Sequence, residues 1–201
     1  PPKKLKIAFT ARSPLQTDVD PECAAGVTAA ADLLRDLGHE VEEASPEING
    51  EAFKEDFITM VCGETAADIA EAEKITSRKA AWRDFEPGTW ATCLMGRQFS
   101  AADFSGAVRR LKLTGRVVGR FFENYDVFMT PTLGKPPLLI GELQPAGIEG
   151  MAMKLLGRLN AGRIMHLMRN IDESADKIFT FIPFTPDFNA TGQTAMSVPL
   201  H

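Results

Sequence analysis

Three cysteines and three histidines are the residues of this 201-residue chain with the widest range of chemistry. A cysteine nucleophile needs a base within hydrogen-bond reach, and a zinc site needs ligands at short, regular spacing. These residues are scattered instead, as Cys23, Cys62, Cys93, His39, His166 and His201. No CxxC or HExxH pattern is present. We therefore expect no metal site and interpret the cysteines as core residues, with a pocket-lining role left open for Cys62 and Cys93.

The signatures of phosphate and nucleotide binding are also missing from the sequence. The chain has no GxGxxG or GxxxxGK loop and no GxSxG nucleophile turn. Its formal net charge of -5 argues against a nucleic-acid surface, which needs a basic patch. No apolar run approaches the roughly 20 residues that span a bilayer, and unpaired cysteines suit a reducing compartment. We expect a cytoplasmic protein that binds neither nucleic acid nor membrane.

The elements that would position a site begin with a strand, a helix and a second strand. Residues 5–9 and 40–44 have strand patterns. Between them, Asp20 is a typical helix N-cap, Pro21 suits the first helical position, and Gly38 ends the helix. Such a crossover is right-handed and makes its two strands parallel. The residues assigned to the buried face of this helix are Cys23, Val27, Ala30, Leu34 and Leu37.

Longer helices follow this unit. Apolar spacing predicts helices over residues 53–74, 89–96 and 151–168, and another that begins at Ser100, where Asp103 completes a capping box. Residues 127–130 form a compact strand that Pro131 ends. The tail over residues 179–201 is rich in Phe, Thr and Pro and has little helix potential. The order of elements predicts an α/β fold in a single domain.

The tail contains the most informative segment, FTPDFNATGQTAMSVPL over residues 184–200. This segment resembles the stretch FTxxFNxTGQPAxSxP of the amidase signature family, from which Thr194 departs because proline is usual there. Further segments also resemble the family, and they follow one another in the order found there. They are residues 5–9, 18–23, 37–42, 99–104 and 125–132. The resemblance covers nearly the whole chain and identifies it as the C-terminal portion of an amidase.

The resemblance implies a partial mixed sheet flanked by helices, present as one incomplete domain over residues 1–201. It also implies hydrolysis of a small-molecule amide by a serine nucleophile, a second serine in a cis peptide and a lysine base. In the family these residues precede the matched part, so we expect no catalytic residue in this chain. We also expect no cofactor, and the N-terminal half of the parent enzyme as a partner; a homodimer stays open.

This portion can supply pocket wall, because loops at strand ends collect substrate contacts. Phenylalanine followed by asparagine combines a rigid apolar surface with an amide that donates and accepts, and Gly192 behind them permits a tight turn. The predicted substrate-binding residues are Phe188, Asn189, Thr132, Trp90 and Cys93. The competing interpretation of the asparagine is that it only bonds the backbone of its own loop.

Two other functions stay open at this point. One is the glutamine-dependent amidotransferase subunit of the same family, for which the sequence offers no supporting basic tract. The other is a small α/β binding module that never had a catalytic half. A Gly- and Ser-rich segment just upstream of this chain would exclude the binding module.

Overall fold

Three short strands and a larger number of helices make up the described residues, which are 3–142, 147–167 and 177–199 of a computed structural model. In chain order the elements are β1 (Lys6–Phe9), α1 (Pro21–Asp36), β2 (Glu40–Glu43), α2 (Gly50–Thr76), α3 (Pro87–Gly96), α4 (Ala101–Phe121), β3 (Val127–Met129), α5 (Gly147–Arg158), α6 (Gly162–Leu167) and a C-terminal helix (Thr185–Thr191). A 3-10 turn at Trp82–Asp84 precedes α3.

The chain forms two units. The first consists of Pro1–Lys54, Arg110–Leu139 and Asp176–His201, and the second of Glu55–Arg109 and Ile140–Ala175. Two such units can belong to one folding domain. The single incomplete domain over residues 1–201 therefore stays a prediction.

The first unit is built on a parallel sheet in which β1 lies between β2 and β3. Ile7 on β1 is in register with Val41 on one side and with Val127 on the other. The strand–helix–strand prediction and the parallel pairing of β1 with β2 are confirmed. All three described strands are parallel, so the mixed character of the wider sheet stays a prediction.

Helix α1 begins and ends as its capping residues predict. The carboxylate of Asp20 accepts a hydrogen bond of 2.8 Å from the backbone N–H of Glu22. Gly38 takes a φ of 90° after the last turn, in the left-handed region that favours glycine. The second predicted cap is also present, because Ser100 and Asp103 bond each other's backbone N–H groups at 3.1 and 2.9 Å ahead of α4.

The buried face of α1 is shorter than expected. Val27 and Ala31 pack with Phe9 of the sheet. Leu37, assigned to the buried face, is 66% exposed, and Cys23 is only half-buried. The reason is length, because a helix of 16 residues spans about 24 Å and a strand of four about 13 Å. The ends of α1 therefore extend beyond the sheet.

The opposite face of the sheet presents Phe128, because side chains alternate along β3. Its ring centroid lies 5.2 Å from that of Phe121 at the end of α4 and 6.0 Å from that of Phe188 on the C-terminal helix. Helices thus cover both faces of this sheet, which confirms the α/β class with flanking helices.

The tail is where the secondary-structure prediction is wrong. Residues 177–181 are helical, and the C-terminal helix follows them. Pro186 stands in the first turn, where its missing N–H costs little, and Gly192 ends the helix with a φ of 82°. Phe188 and Asn189 therefore lie on a helix and not in a loop. Burial on one helix face outweighed the weak local propensity.

The second unit is helical. Its core contains Ile69 of α2 with Trp90, Cys93 and Leu94 of α3. At Gly96 the two helices approach so closely that a Cβ atom would collide with the backbone carbonyl of Cys62. None of the helices within the described residues has the length and apolar composition of a membrane span.

The helix predicted over residues 151–168 is two helices, α5 and α6. The chain turns between them at Asn160, which takes a φ of 50°. Asparagine tolerates this conformation better than most residues, because its short polar side chain bonds the backbone locally. Both helices pack against α3. Residue 168 lies outside the described residues.

Candidate functional site

The carboxyl ends of the three parallel strands meet at one edge of the first unit's sheet. Thr10 directly follows β1, Thr130 directly follows β3, and Ser45 lies two residues beyond β2. All three line a small cavity. Ligands of open α/β sheets bind outside this edge of the strands, so the sheet places the cavity where a ligand site is expected.

Thr10 is held firmly at the edge of the cavity. Its backbone N–H donates to the carbonyl oxygen of Met129 at 3.1 Å, which continues the pairing of β1 with β3 by one residue. Its hydroxyl oxygen accepts a hydrogen bond of 3.0 Å from the backbone N–H of Arg12. The residue is only 3% exposed. This side of the cavity is therefore fixed by backbone contacts.

The C-terminal helix supplies another wall of the cavity. Phe184, Asp187 and Phe188 all line it, the first at the helix N-cap and the others three and four residues later, so they share one side. Within the last turn of this helix, the hydroxyl of Thr191 donates to the backbone carbonyl oxygen of Asp187 at 2.6 Å. The ring of Phe188 is half-buried against that of Phe128, which also lines the cavity.

Asp187 is the unusual group of this wall. Its side chain is 2% exposed, and within the described residues its Oδ1 atom has no hydrogen-bond partner. Removal from water disfavours the charged form, so burial raises the pKa of Asp187 to about 7. The cavity measures about 10 Å³, which is close to the space that one water molecule needs. The carboxyl group can therefore accept a hydrogen bond from one small donor.

The structure separates the three predicted substrate-binding residues of the first unit. Phe188 lines the cavity, and Asn189 next to it is exposed. Thr132 is exposed at the turn after β3, and its hydroxyl oxygen lies 3.1 Å from that of Ser197. This contact ties the turn to the tail segment beyond the C-terminal helix. The substrate contacts of all three residues stay predictions.

The two predicted residues of the second unit lie in its core. Trp90 is 2% exposed, its Nε1–H donates to the carbonyl oxygen of Gly157 at 3.0 Å, and its ring stacks on Phe85 at 5.9 Å. Cys93 is fully buried, and burial raises the pKa of its thiol. Cys62 is also buried, with a pKa raised to about 11. The interpretation of Cys62 and Cys93 as core residues is confirmed, and substrate contact by Trp90 or Cys93 stays a prediction.

Of the three histidines, only His39 has a described side chain, and it does not line the cavity. His39 Nδ1 accepts a hydrogen bond of 3.2 Å from the backbone N–H of Leu5, a structural role beside β1. The side chains of His166 and His201 lie outside the described part of the structure. Among the described residues, no group of three His, Cys, Asp or Glu side chains is arranged to hold a metal ion.

Sequence reasoning missed Asp187, although it stands inside the most informative segment. The signal that would have found it is helical spacing, because Phe184, Asp187 and Phe188 follow the i, i+3, i+4 pattern of one helix face. An acid on an apolar helix face is either buried or placed in a pocket. Interpretation of the tail as a loop concealed this pattern.

Comparison with known proteins bears on the whole chain. The amidase family model matches residues 1–201. A lipoamidase of Enterococcus faecalis is 26% identical over 196 residues, which are 97% of this chain and 26% of that protein. The 6-aminohexanoate-cyclic-dimer hydrolase of Pseudomonas sp. (strain NK87) is 28% identical over 205 residues, which cover 99% of this chain and 38% of that protein.

A solved structure of a 6-aminohexanoate cyclic dimer hydrolase is similar in fold, with a TM-score of 0.73 at 27% identity over 96% of this chain and 37% of that chain. The present chain therefore spans between about a quarter and two fifths of the length of these relatives. The match is to their C-terminal part, and the resemblance noted in the sequence is confirmed.

Proposed function

We propose, since the chain belongs to the amidase family, that it is the C-terminal part of a longer enzyme that hydrolyses the C–N bond of a small-molecule amide. The observation that carries this proposal is the family match over residues 1–201. Two of the similar proteins are a lipoamidase and a cyclic-dimer hydrolase, which supports an amide as the substrate class.

In this proposal the N-terminal half of the parent enzyme supplies the catalytic groups. A serine there attacks the amide carbonyl carbon, and its proton passes through a second serine and a lysine to the leaving amine. Backbone N–H groups stabilise the oxyanion, and water then hydrolyses the acyl-enzyme. The buried thiols of Cys62 and Cys93 are poor nucleophiles, because a raised pKa keeps them protonated.

The present chain contributes pocket wall. Phe188 offers a half-buried ring held against Phe128, and Asn189 and Thr132 offer exposed hydrogen-bonding groups on the same unit. Trp90 and Cys93 would act differently, by holding the second unit's core in the shape that its surface needs. These roles follow from position and burial.

The alternatives receive less support. The amidotransferase subunit is not favoured, because these relatives are hydrolases and the chain has a net charge of -5 with no basic tract to receive a tRNA. The separate binding module is not favoured either, because the family model extends over the whole chain.

The remaining proposals concern the state of the protein. The three free cysteines support a reducing compartment, and we place the enzyme in the cytoplasm. The two units would form one incomplete domain that the N-terminal half completes. A homodimer stays open as its assembly.

A serine-directed fluorophosphonate tests the proposed chemistry on the full-length protein. We expect amide hydrolysis that the reagent abolishes, and peptide mapping should find the label on a serine outside residues 1–201. The chain alone should show no turnover above the uncatalysed rate. Cys62→Ala and Cys93→Ala should retain turnover in the folded fraction. Loss of turnover in either variant, or label on either cysteine, would contradict the proposal.

A further inference from the structure

Asp187 is a buried acid with an oxygen left unsatisfied among the described residues, and it lies on the C-terminal helix beside the cavity at the carboxyl ends of the strands. Leaving a buried polar group without a hydrogen-bond partner costs about 1–3 kcal/mol, and more when the group is charged. Asp187 bears this cost in the described structure, because it is 2% exposed and its Oδ1 atom has no partner there. Native proteins keep such a group where a ligand or an ordered water satisfies it.

Within the described residues, no polar side chain of the cavity wall pairs with Oδ1 of Asp187. Arg12 is the other charged residue in the cavity wall, but its side chain is 87% exposed and its Nε atom lies 3.5 Å from a carboxylate oxygen of Glu43. The hydroxyl oxygen of Thr10 accepts from the backbone N–H of Arg12. The charge of Asp187 is therefore left for an incoming group to neutralise.

The cavity is matched to a small cationic group. Its volume of about 10 Å³ suits a single heavy atom with its hydrogens. The rings of Phe128, Phe184 and Phe188 line it, and aromatic faces attract a cation within about 6 Å. The hydroxyl of Thr130 at the end of β3 can accept a second hydrogen bond.

We propose that Asp187, Thr130 and the surrounding phenylalanines form a binding site for the primary ammonium group of a ligand. One N–H of the ammonium donates to Oδ1 of Asp187 and a second to the hydroxyl of Thr130, while the alkyl chain contacts the rings. A water molecule would satisfy the oxygen but would leave the buried charge uncompensated. This inference goes beyond amide hydrolysis, because it concerns a group that is held and not a bond that is broken.

The site makes binding depend on pH. Burial raises the pKa of Asp187 to about 7, so part of the population is protonated at neutral pH. An ammonium ion favours the carboxylate, so binding releases a proton. Affinity therefore rises as pH increases from 6 to 8, while an alkylammonium stays charged. Arg12 is the other charged residue in the wall.

Calorimetric titration of the full-length protein with n-butylammonium chloride tests the site, with 1-butanol as the neutral probe of equal chain length. We expect butylammonium to bind at least tenfold more tightly and to release protons near pH 7, as measured in buffers of different ionisation enthalpy. Asp187→Asn should weaken its binding at least tenfold, and Thr130→Val about threefold. The matched control Asp36→Asn removes an exposed carboxylate on α1 and should leave binding unchanged.

The other possible occupants are outcomes of the same experiment. Equal binding of the alcohol and the ammonium would show an apolar pocket and overturn the proposal. Absence of ammonium binding would show that Asp187 is satisfied by water or by a donor from the rest of the protein, which also overturns it. If Asp187→Asn does not fold, proton release by the wild type and the Thr130→Val titration still decide the question.

Discussion

The cavity of the first unit and the core of the second each contain a buried residue with a polar side-chain atom. In the second unit this atom is hydrogen-bonded, and in the first unit it has no partner within the described residues. Trp90 in the second unit is buried with its Nε1–H bonded to the carbonyl of Gly157. Asp187 in the first unit is buried with Oδ1 unpartnered in the described structure. The core around Trp90 is filled by Phe85 and other apolar side chains, whereas Asp187 borders a cavity.

The contrast teaches which buried residues are candidates for function. A residue whose polar atoms are all satisfied inside a packed core holds structure together, and its removal costs stability. A buried polar atom without a partner costs free energy in the empty state, and a ligand that supplies the partner recovers it. We therefore expect variants of the two regions to separate into stability effects and binding or kinetic effects.

The largest expected effect is loss of stability at the second unit's core. Trp90→Ala removes a side chain that is 2% exposed, together with its hydrogen bond to the carbonyl of Gly157, so we expect the free energy of unfolding to fall by about 3–5 kcal/mol. Trp82→Ala is the matched control, because Trp82 is 40% exposed and should cost about 1 kcal/mol or less. Urea unfolding of the full-length protein measures both. Equal losses would show that the core around Trp90 is not packed as described.

The next effect is a pH dependence of stability from Asp187. An unfolded aspartate has a pKa of about 3.9, whereas burial raises that of Asp187 to about 7. The folded state then binds more protons between these values, so its stabilising contribution is complete below pH 4 and is lost as pH rises toward 7. The free energy of unfolding should fall by up to about 4 kcal/mol across this window.

The comparison of wild type with Asp187→Asn isolates this term, because carboxylates whose pKa values are lowered, such as Glu73 and Asp84, titrate in both proteins. Unfolding curves at pH 5 and pH 8 should show a smaller loss of stability in the variant. If the stability of both proteins changes with pH in the same way, Asp187 is no more protonated at pH 5 in the folded protein than in the unfolded chain.

A smaller effect is expected on catalysis at the cavity wall. Phe188→Leu should lower kcat/KM of the full-length enzyme for its amide by about tenfold, or about 1.4 kcal/mol, because the ring is part of the proposed pocket wall. Phe121→Leu is the control, since it removes the other ring packed on Phe128 without belonging to the cavity lining. Both should lose similar stability. A kinetic defect of equal size in both would assign the effect to packing on Phe128.

The smallest effect is expected at Asn189. Its side chain is exposed on a helix, so Asn189→Ala should change the free energy of unfolding by no more than about 0.5 kcal/mol. If the side chain contacts substrate, kcat/KM should fall about three- to tenfold. Asn124→Ala, at another exposed asparagine, should change neither quantity. A loss of about 1–3 kcal/mol with normal kinetics would instead support the local structural role.

Local signals in the sequence were sufficient for much of the fold. Asp20 and Pro21 mark the start of α1 and Gly38 marks its end, because helix caps depend on residues within one turn of the helix end. Ser100 and Asp103 mark the start of α4 for the same reason. Short motifs spread over the whole chain were sufficient to identify the family, because each motif depends only on the residues of one local segment. These features need no knowledge of distant residues.

Only the tertiary structure decided which side chains are buried and which polar atoms are paired. Leu37 has helical spacing for the core but is exposed, because the strands beneath α1 are short. The tail has weak helix propensity, yet residues 185–191 are helical, because burial of Phe184 and Pro186 stabilises this helix. The cavity beside Asp187 is also lined by Thr10 and Thr130, which are far from it in sequence. Burial is the sum of such distant contacts, and a linear pattern does not contain them.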